Sequence, residues 1–240
     1  MKKALFLILT IAVVFFLSTG GCSIVESRVA RLTTDFNTFP SDKRILYEDG
    51  AEETAAEASL HIDEAIRTVE SRQFGNLTEP ITVYVFATPK SFSKFSGISE
   101  KARGASVNNE VYLSGLLKEM PEEVYGMIGH ELSHVQLSQR LGVISFNRTL
   151  PRWFREGLAI YVSHGGGAPR NYQQETMSMF KKGKHFVPES QGSLFNRGLN
   201  MTADIGPRMF YSQSGMFVKY LANEYPQKFK DFLIGLQGGK

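Results

Sequence analysis

The sequence predicts an α+β domain with helices packed on a small twisted sheet, and three observations predict it. Several stretches carry apolar residues three and four apart, the spacing of helices that bury one face. Short runs rich in β-branched and aromatic residues suit the strands of a small sheet. The chain has 240 residues, of which 42% are hydrophobic and 21% charged, enough for one full-sized core. The net charge of +3 is spread along the chain and forms no basic stripe, so no nucleic-acid partner is expected.

The N-terminus is read as a targeting segment outside the fold. Lys2 and Lys3 precede an apolar run from Ala4 to Leu17, and small residues lead on to Cys22. Charge, short apolar stretch and small-residue site make a secretory signal, and the run is shorter than the ~20 residues a spanning helix needs. Cys22 is the only cysteine, which excludes an internal disulfide. Its place after Gly20 and Gly21 resembles a bacterial lipoprotein cleavage site, where the cysteine becomes the lipidated first residue. The pattern departs at Thr19, where a branched aliphatic is usual. The expectation is an exported protein held to the membrane at Cys22, with plain secretion as the alternative. Residues 1–21 are the signal, 22–50 a tether, and 51–240 the functional domain.

The elements follow in order. Ala51 to Phe74 reads as a helix, with Ile62, Ala65, Ile66 and Val69 on one face and Gly75 as its stop. Ile81 to Ala87 reads as a buried strand. Pro89 opens a short helical piece through Phe95, ended by Gly97. Ala105 to Ser114 holds a second strand, with Asn108 and Asn109 marking a turn or bulge. Pro121, Glu122 and Glu123 start a helix that runs to Leu141 and is capped by Gly142. Val143 to Leu150 is a connection. Pro151 starts another helix, closed by Gly165, Gly166 and Gly167, which are read as a flexible connection. Helices are also expected over Tyr172 to Lys182, over Phe210 to Tyr225, and from the break at Pro226 to near Leu236.

The chemistry concentrates in HELSH. His130 and His134 lie four apart on a helix and so share a face, where two imidazoles can reach one ion. Glu131 is next to the first of them, a carboxylate beside the open position that a catalytic zinc keeps for water. The surrounding Val124, Met127, Ile128, Leu132, Val135 and Leu137 make this a buried helix. Ionisable groups inside a core need partners, and a metal is the simplest one for two histidines. A third ligand is required. Glu156, 22 residues after His134, lies on the next helix among Trp153, Phe154, Leu158, Ala159 and Ile160. Gly157 is expected to remove a side chain where the two helices approach. His61, His164 and His185 are given no role in the site.

HELSH followed by PRWFREGLAIYVS resembles the gluzincin branch of zinc metallopeptidases, in particular the compact bacterial peptidases called peptidase MA-like. The later segment YSQSGMFVKYLANEYP is similar to a further helix of that family. The resemblance implies a zincin-like fold, a zinc held by His130, His134 and Glu156, and Glu131 as general base. It also implies Tyr211 as donor to the tetrahedral oxyanion. The strand near Val111 to Ser114 would be a sheet edge beside the active helix, paired with an extended peptide substrate. One departure is Ile160, where some relatives carry an aspartate that supports a metal-ligating histidine. The residues also admit a non-catalytic binding module and a metal-free protein with structural histidines.

Overall fold

A computed structural model describes residues 34–168, 172–188 and 205–237; the signal segment and Cys22 lie outside them. Helices and a small mixed sheet make an α+β architecture. The strands are β1 (Asn37–Thr38), β2 (Ile45–Tyr47), β3 (Thr82–Val85), β4 (Gly104–Val107) and β5 (Glu110–Leu113). Their order is β1-β2-β3-β5-β4. The central pairs β2–β3 and β3–β5 are parallel, and the two outer pairs are antiparallel.

Alternation along the strands gives the sheet two different faces. Ile45, Val83, Val85, Val111 and Leu113 point to one side. They meet α1 (Glu52–Arg72) and α3 (Val124–Leu141). Ala55, Ala58, Ile62, Ala65 and Val69 form the buried stripe of α1, and its small residues let α3 lie close. On the other side Tyr84, Phe86 and Tyr112 stack edge to face with Phe92 and Phe95 of α2 (Pro89–Ser96) and with Phe36. A capping box at Thr88 and Ser91 starts α2, and Gly97 at φ 74° ends it.

Buried amides lock α1 to the middle of α3. The Gln73 side chain donates to the Ser133 carbonyl at 3.1 Å and accepts from the Ser133 hydroxyl at 2.6 Å. Gln136 accepts from the Phe74 N–H at 3.2 Å and donates to the Gly75 carbonyl at 2.5 Å. These bonds satisfy the turn that leaves α1; orphaning one such buried group costs about 1–3 kcal/mol.

Behind α3 come α4 (Val143–Thr149), α5 (Arg152–Val162), α6 (Tyr172–Lys181), α7 (Pro207–Glu224) and α8 (Pro226–Gln237). A Cβ on Gly157 of α5 would run into the Ser214 carbonyl of α7, and one on Gly215 of α7 would stand 2.5 Å from Ile160 Cγ2. Two facing glycines therefore set how closely α5 and α7 cross. A second aromatic group, Trp153, Phe186, Phe210 and Phe217, packs α7 to α5 from outside. No helix among the described residues is long and apolar enough to cross a membrane.

Several expectations are corrected. The domain starts before Ala51, because β1 and β2 lie in the sheet and Ile45 is wholly buried. The strand expected within Ala105 to Ser114 is present as Glu110–Leu113, after the turn at Asn108 and Asn109, but a second strand, Gly104–Val107, precedes that turn and makes the segment a hairpin. Asn108, at φ 54°, and Asn109 form its two-residue turn, with Val107 opposite Glu110. Consequently β5 is interior and β4 is the edge. Val143 to Thr149 is helical rather than an irregular connection. Gly157 serves the contact with α7, not the contact with α3. The helix expected from Pro121 begins with a single 3-10 turn, Pro121–Glu123, before α3 proper.

Candidate metal centre

The HELSH helix brings His130 and His134 onto one face, and α5 crosses so that Glu156 reaches them. Glu156 Oε2 lies 3.5 Å from His130 Nε2 and 3.4 Å from His134 Nε2, and the two Nε2 atoms are 3.3 Å apart. Ligands 2.0–2.1 Å from a tetrahedral zinc sit about 3.3 Å from one another, so this triangle has the size of one face of that tetrahedron. The two rings stand at 80° to each other, with centroids 5.0 Å apart. His130, His134 and Glu156 can hold a metal ion, and they are the expected set.

Electrostatics agree with a site made for a cation. Burial pushes the Glu156 carboxyl up, but the two imidazoles outweigh it and hold it well below the usual carboxylate range. Burial pushes His130 down, and Glu156 and Glu131 more than reverse this, so its pKa is raised.

The ring of His130 has a fixed orientation. Its Nδ1 lies 2.9 Å from the Gly166 carbonyl, which can only accept, so Nδ1 carries the hydrogen and Nε2 turns its lone pair to the cluster. The partner absent at Ile160 is thus supplied by backbone from the loop after α5. That loop is not a loose connection. Gly165 N–H donates to the Ile160 carbonyl at 2.8 Å, closing α5, and Gly165 and Gly167 have φ of 102° and 79°.

Glu131 is 6% exposed and His130 7%, while His134 and Glu156 are more open, so the group has a covered side and an accessible side. Ser106 on β4 donates to Glu131 Oε2 at 2.9 Å. A Cβ on Gly104 would stand 3.0 Å from Glu131 Oε1 and 2.7 Å from Met127 Sδ. The carboxylate therefore lies against the edge strand, beside the ligands and outside their triangle.

Tyr211 belongs to the same neighbourhood. Arg152 Nε is 3.7 Å from Glu156 Oε1, and Arg152 Nη2 donates to the Tyr211 hydroxyl at 2.8 Å. Burial, and next the charge of Glu156, raise the Tyr211 pKa against the opposing effect of Arg152, so it stays a neutral phenol with a proton to give. Ser106, Arg152 and the Gly166 carbonyl were not anticipated from sequence. Arg152 left a readable sign, four residues before Glu156 on one helix face; Ser106 left none.

The other histidines stand apart from the triangle. His61 faces Glu57 at 3.4 Å, His164 lies against Arg72, and His185 donates to the Phe186 carbonyl at 3.1 Å. An open hollow lined by Ser41, Arg44, Asp63 and Thr82 shares no residue with the site, and its Arg44 is already paired with Asp42 and Asp63. No family model matches the chain, and no curated protein or solved structure matches it either.

Proposed function

We propose that the chain is a zinc-dependent peptidase with a zincin-like, gluzincin-type site, exported and acting on peptides or proteins at the bacterial cell envelope. One observation carries this reading: three donor atoms 3.3–3.5 Å apart, with Glu131 beside them and outside their triangle. The set of two imidazoles and one carboxylate suits zinc and leaves a fourth position open.

A bound zinc would supply Lewis acidity to a substrate carbonyl and bring the pKa of a coordinated water towards ~7. Glu131 is the general base. With Oε2 occupied by Ser106, Oε1 is the oxygen that takes the proton and then returns it to the leaving amine. Tyr211, held by Arg152, donates its phenolic proton in a hydrogen bond to the developing oxyanion. The outer edge of β4 pairs with no strand among the described residues and lies alongside Glu131, so its main-chain groups are open to an extended peptide. That mode of binding tolerates varied side chains. The N-terminal segment ending at Cys22 supports export, and a lipid on Cys22 would keep the enzyme at the membrane.

The test is cut-site mapping by mass spectrometry on a proteome-derived peptide mixture. Zinc-loaded wild type is expected to cleave. Glu131→Gln is expected to keep its zinc and lose about 10²–10⁴-fold in rate. Zinc-loaded wild type that cuts nothing, or a variant that cuts equally well, would rule the peptidase out.

A further inference from the structure

Two of the three glycines after α5, Gly166 and Gly167, rest on α3 at contacts that admit no side chain. A Cβ on Gly166 would run into the Gly126 carbonyl, and a Cβ on Gly167 would stand 2.6 Å from His130 Nδ1 and 2.9 Å from its Cε1. Gly126 and Gly129 on α3 make the matching space: a Cβ on Gly126 would be 3.0 Å from Gly166 Cα, and one on Gly129 would be 3.1 Å from Ser163 Cβ. The backbone of the loop therefore lies in close contact with the imidazole that it hydrogen-bonds.

Glycine backbone is the least constrained in the chain, and left alone it would not hold a carbonyl in one place. Arg103 removes that freedom. It stands immediately before β4, and its own carbonyl accepts from the Ser114 N–H at 2.9 Å, which fixes it to the sheet. One arm of its guanidinium donates to the Gly167 carbonyl at 2.9 Å, and the other pairs with Glu123 at the start of α3. The rigid fork needs both partners to be placed. Sheet edge, helix start and glycine loop are joined by this one side chain, one peptide away from the Gly166 carbonyl.

We infer that Arg103 is a positioning residue for the metal centre: by pinning Gly167 it holds the Gly166 carbonyl on His130 Nδ1 and so aims His130 Nε2 at the ion. The inference rests on the metal-site reading above. Partners of this kind, when removed, weaken metal binding by about 10–100-fold.

The test is a competition titration of zinc against a chromophoric chelator, for wild type, Arg103→Lys and Arg103→Met, with thermal melts of the metal-free proteins alongside. Lysine keeps an ion pair with Glu123 but lacks the second arm of the fork, so it separates the clamp from the salt bridge and protects against misfolding. Both variants are expected to bind zinc about 10–100-fold more weakly, with metal-free melting temperatures close to wild type. Unchanged zinc affinity in Arg103→Lys and Arg103→Met would overturn the inference, and so would a lowered melting temperature without a change in affinity. If wild type takes up no zinc, the metal-site reading fails and this inference falls with it. If wild type binds zinc and the variants bind equally, only the inference fails.

Discussion

Glu131 has its two oxygens in different surroundings, and on the proposed mechanism that difference has a consequence for rate. Ser106 donates to Oε2 from the edge strand, which restrains the carboxylate, and the proposed mechanism uses Oε1 for proton transfer. Ser106→Ala removes one hydrogen bond to a charged acceptor, worth about 1.5–3 kcal/mol, so on the proposed mechanism kcat is expected to fall roughly 10–150-fold. KM and zinc content should stay as in wild type, because Ser106 touches neither ligand nor triangle. Steady-state kinetics with a cleaved peptide would check this, and an unchanged kcat would show that the serine does not steady the base. At this scale the sequence was half legible. His130, Glu131, His134 and Glu156 follow from helix periodicity and from the apolar neighbours that bury them. Ser106, Arg103 and the Gly166 carbonyl do not, because each depends on which loop or strand arrives beside α3, and no local spacing encodes that.

At the scale of elements, two crossings build the site: α5 over α3, and α7 over α5. The second uses Gly157 and Gly215 facing each other, with the Ser214 backbone and Ile160 filling the space that side chains would need. Gly157→Ala is expected to destabilise the protein by about 1–3 kcal/mol, since neither helix backbone can yield locally. Chemical denaturation would measure it; a loss under ~0.5 kcal/mol, the usual range for surface changes, would mean that the crossing is looser than described. The long helices were readable because many turns repeat one pattern. β1 and β2 were not: Asn37–Thr38 and Ile45–Tyr47 are too short for alternation to register, and only pairing with β3 makes them strands. The asparagine pair marks the turn and the alternation after it marks Glu110–Leu113, but the four residues of Gly104–Val107 before it carry no pattern that announces a strand. Interior and edge were exchanged as a result. The edge strand beside the active helix was expected correctly as a feature but placed on the wrong segment.

Across the whole molecule, the sheet carries α3 on its back, and α3 carries His130, Glu131 and His134 of the proposed site. The face of the sheet with Val83, Val85, Val111 and Leu113 holds α3 rigid against α1, while the aromatic cluster on the opposite face has no part in the site. Every group that touches the two histidines or Glu131 comes from an element packed on α3: Glu156 from α5, with Arg152 beside it, the Gly166 carbonyl from the loop that follows, and Ser106, on Glu131, from the sheet edge. Buried carboxylate and imidazoles are costly for a fold unless something compensates them, and one divalent cation would compensate all three. The measurement that tests this most directly is the zinc content, by elemental analysis, of wild type, Glu131→Gln, His134→Ala and Glu156→Ala, all purified under mild conditions. About one zinc per chain is expected in wild type and in Glu131→Gln, and little or none in the two ligand variants. Wild type free of metal, or Glu156→Ala that retains it fully, would contradict the account.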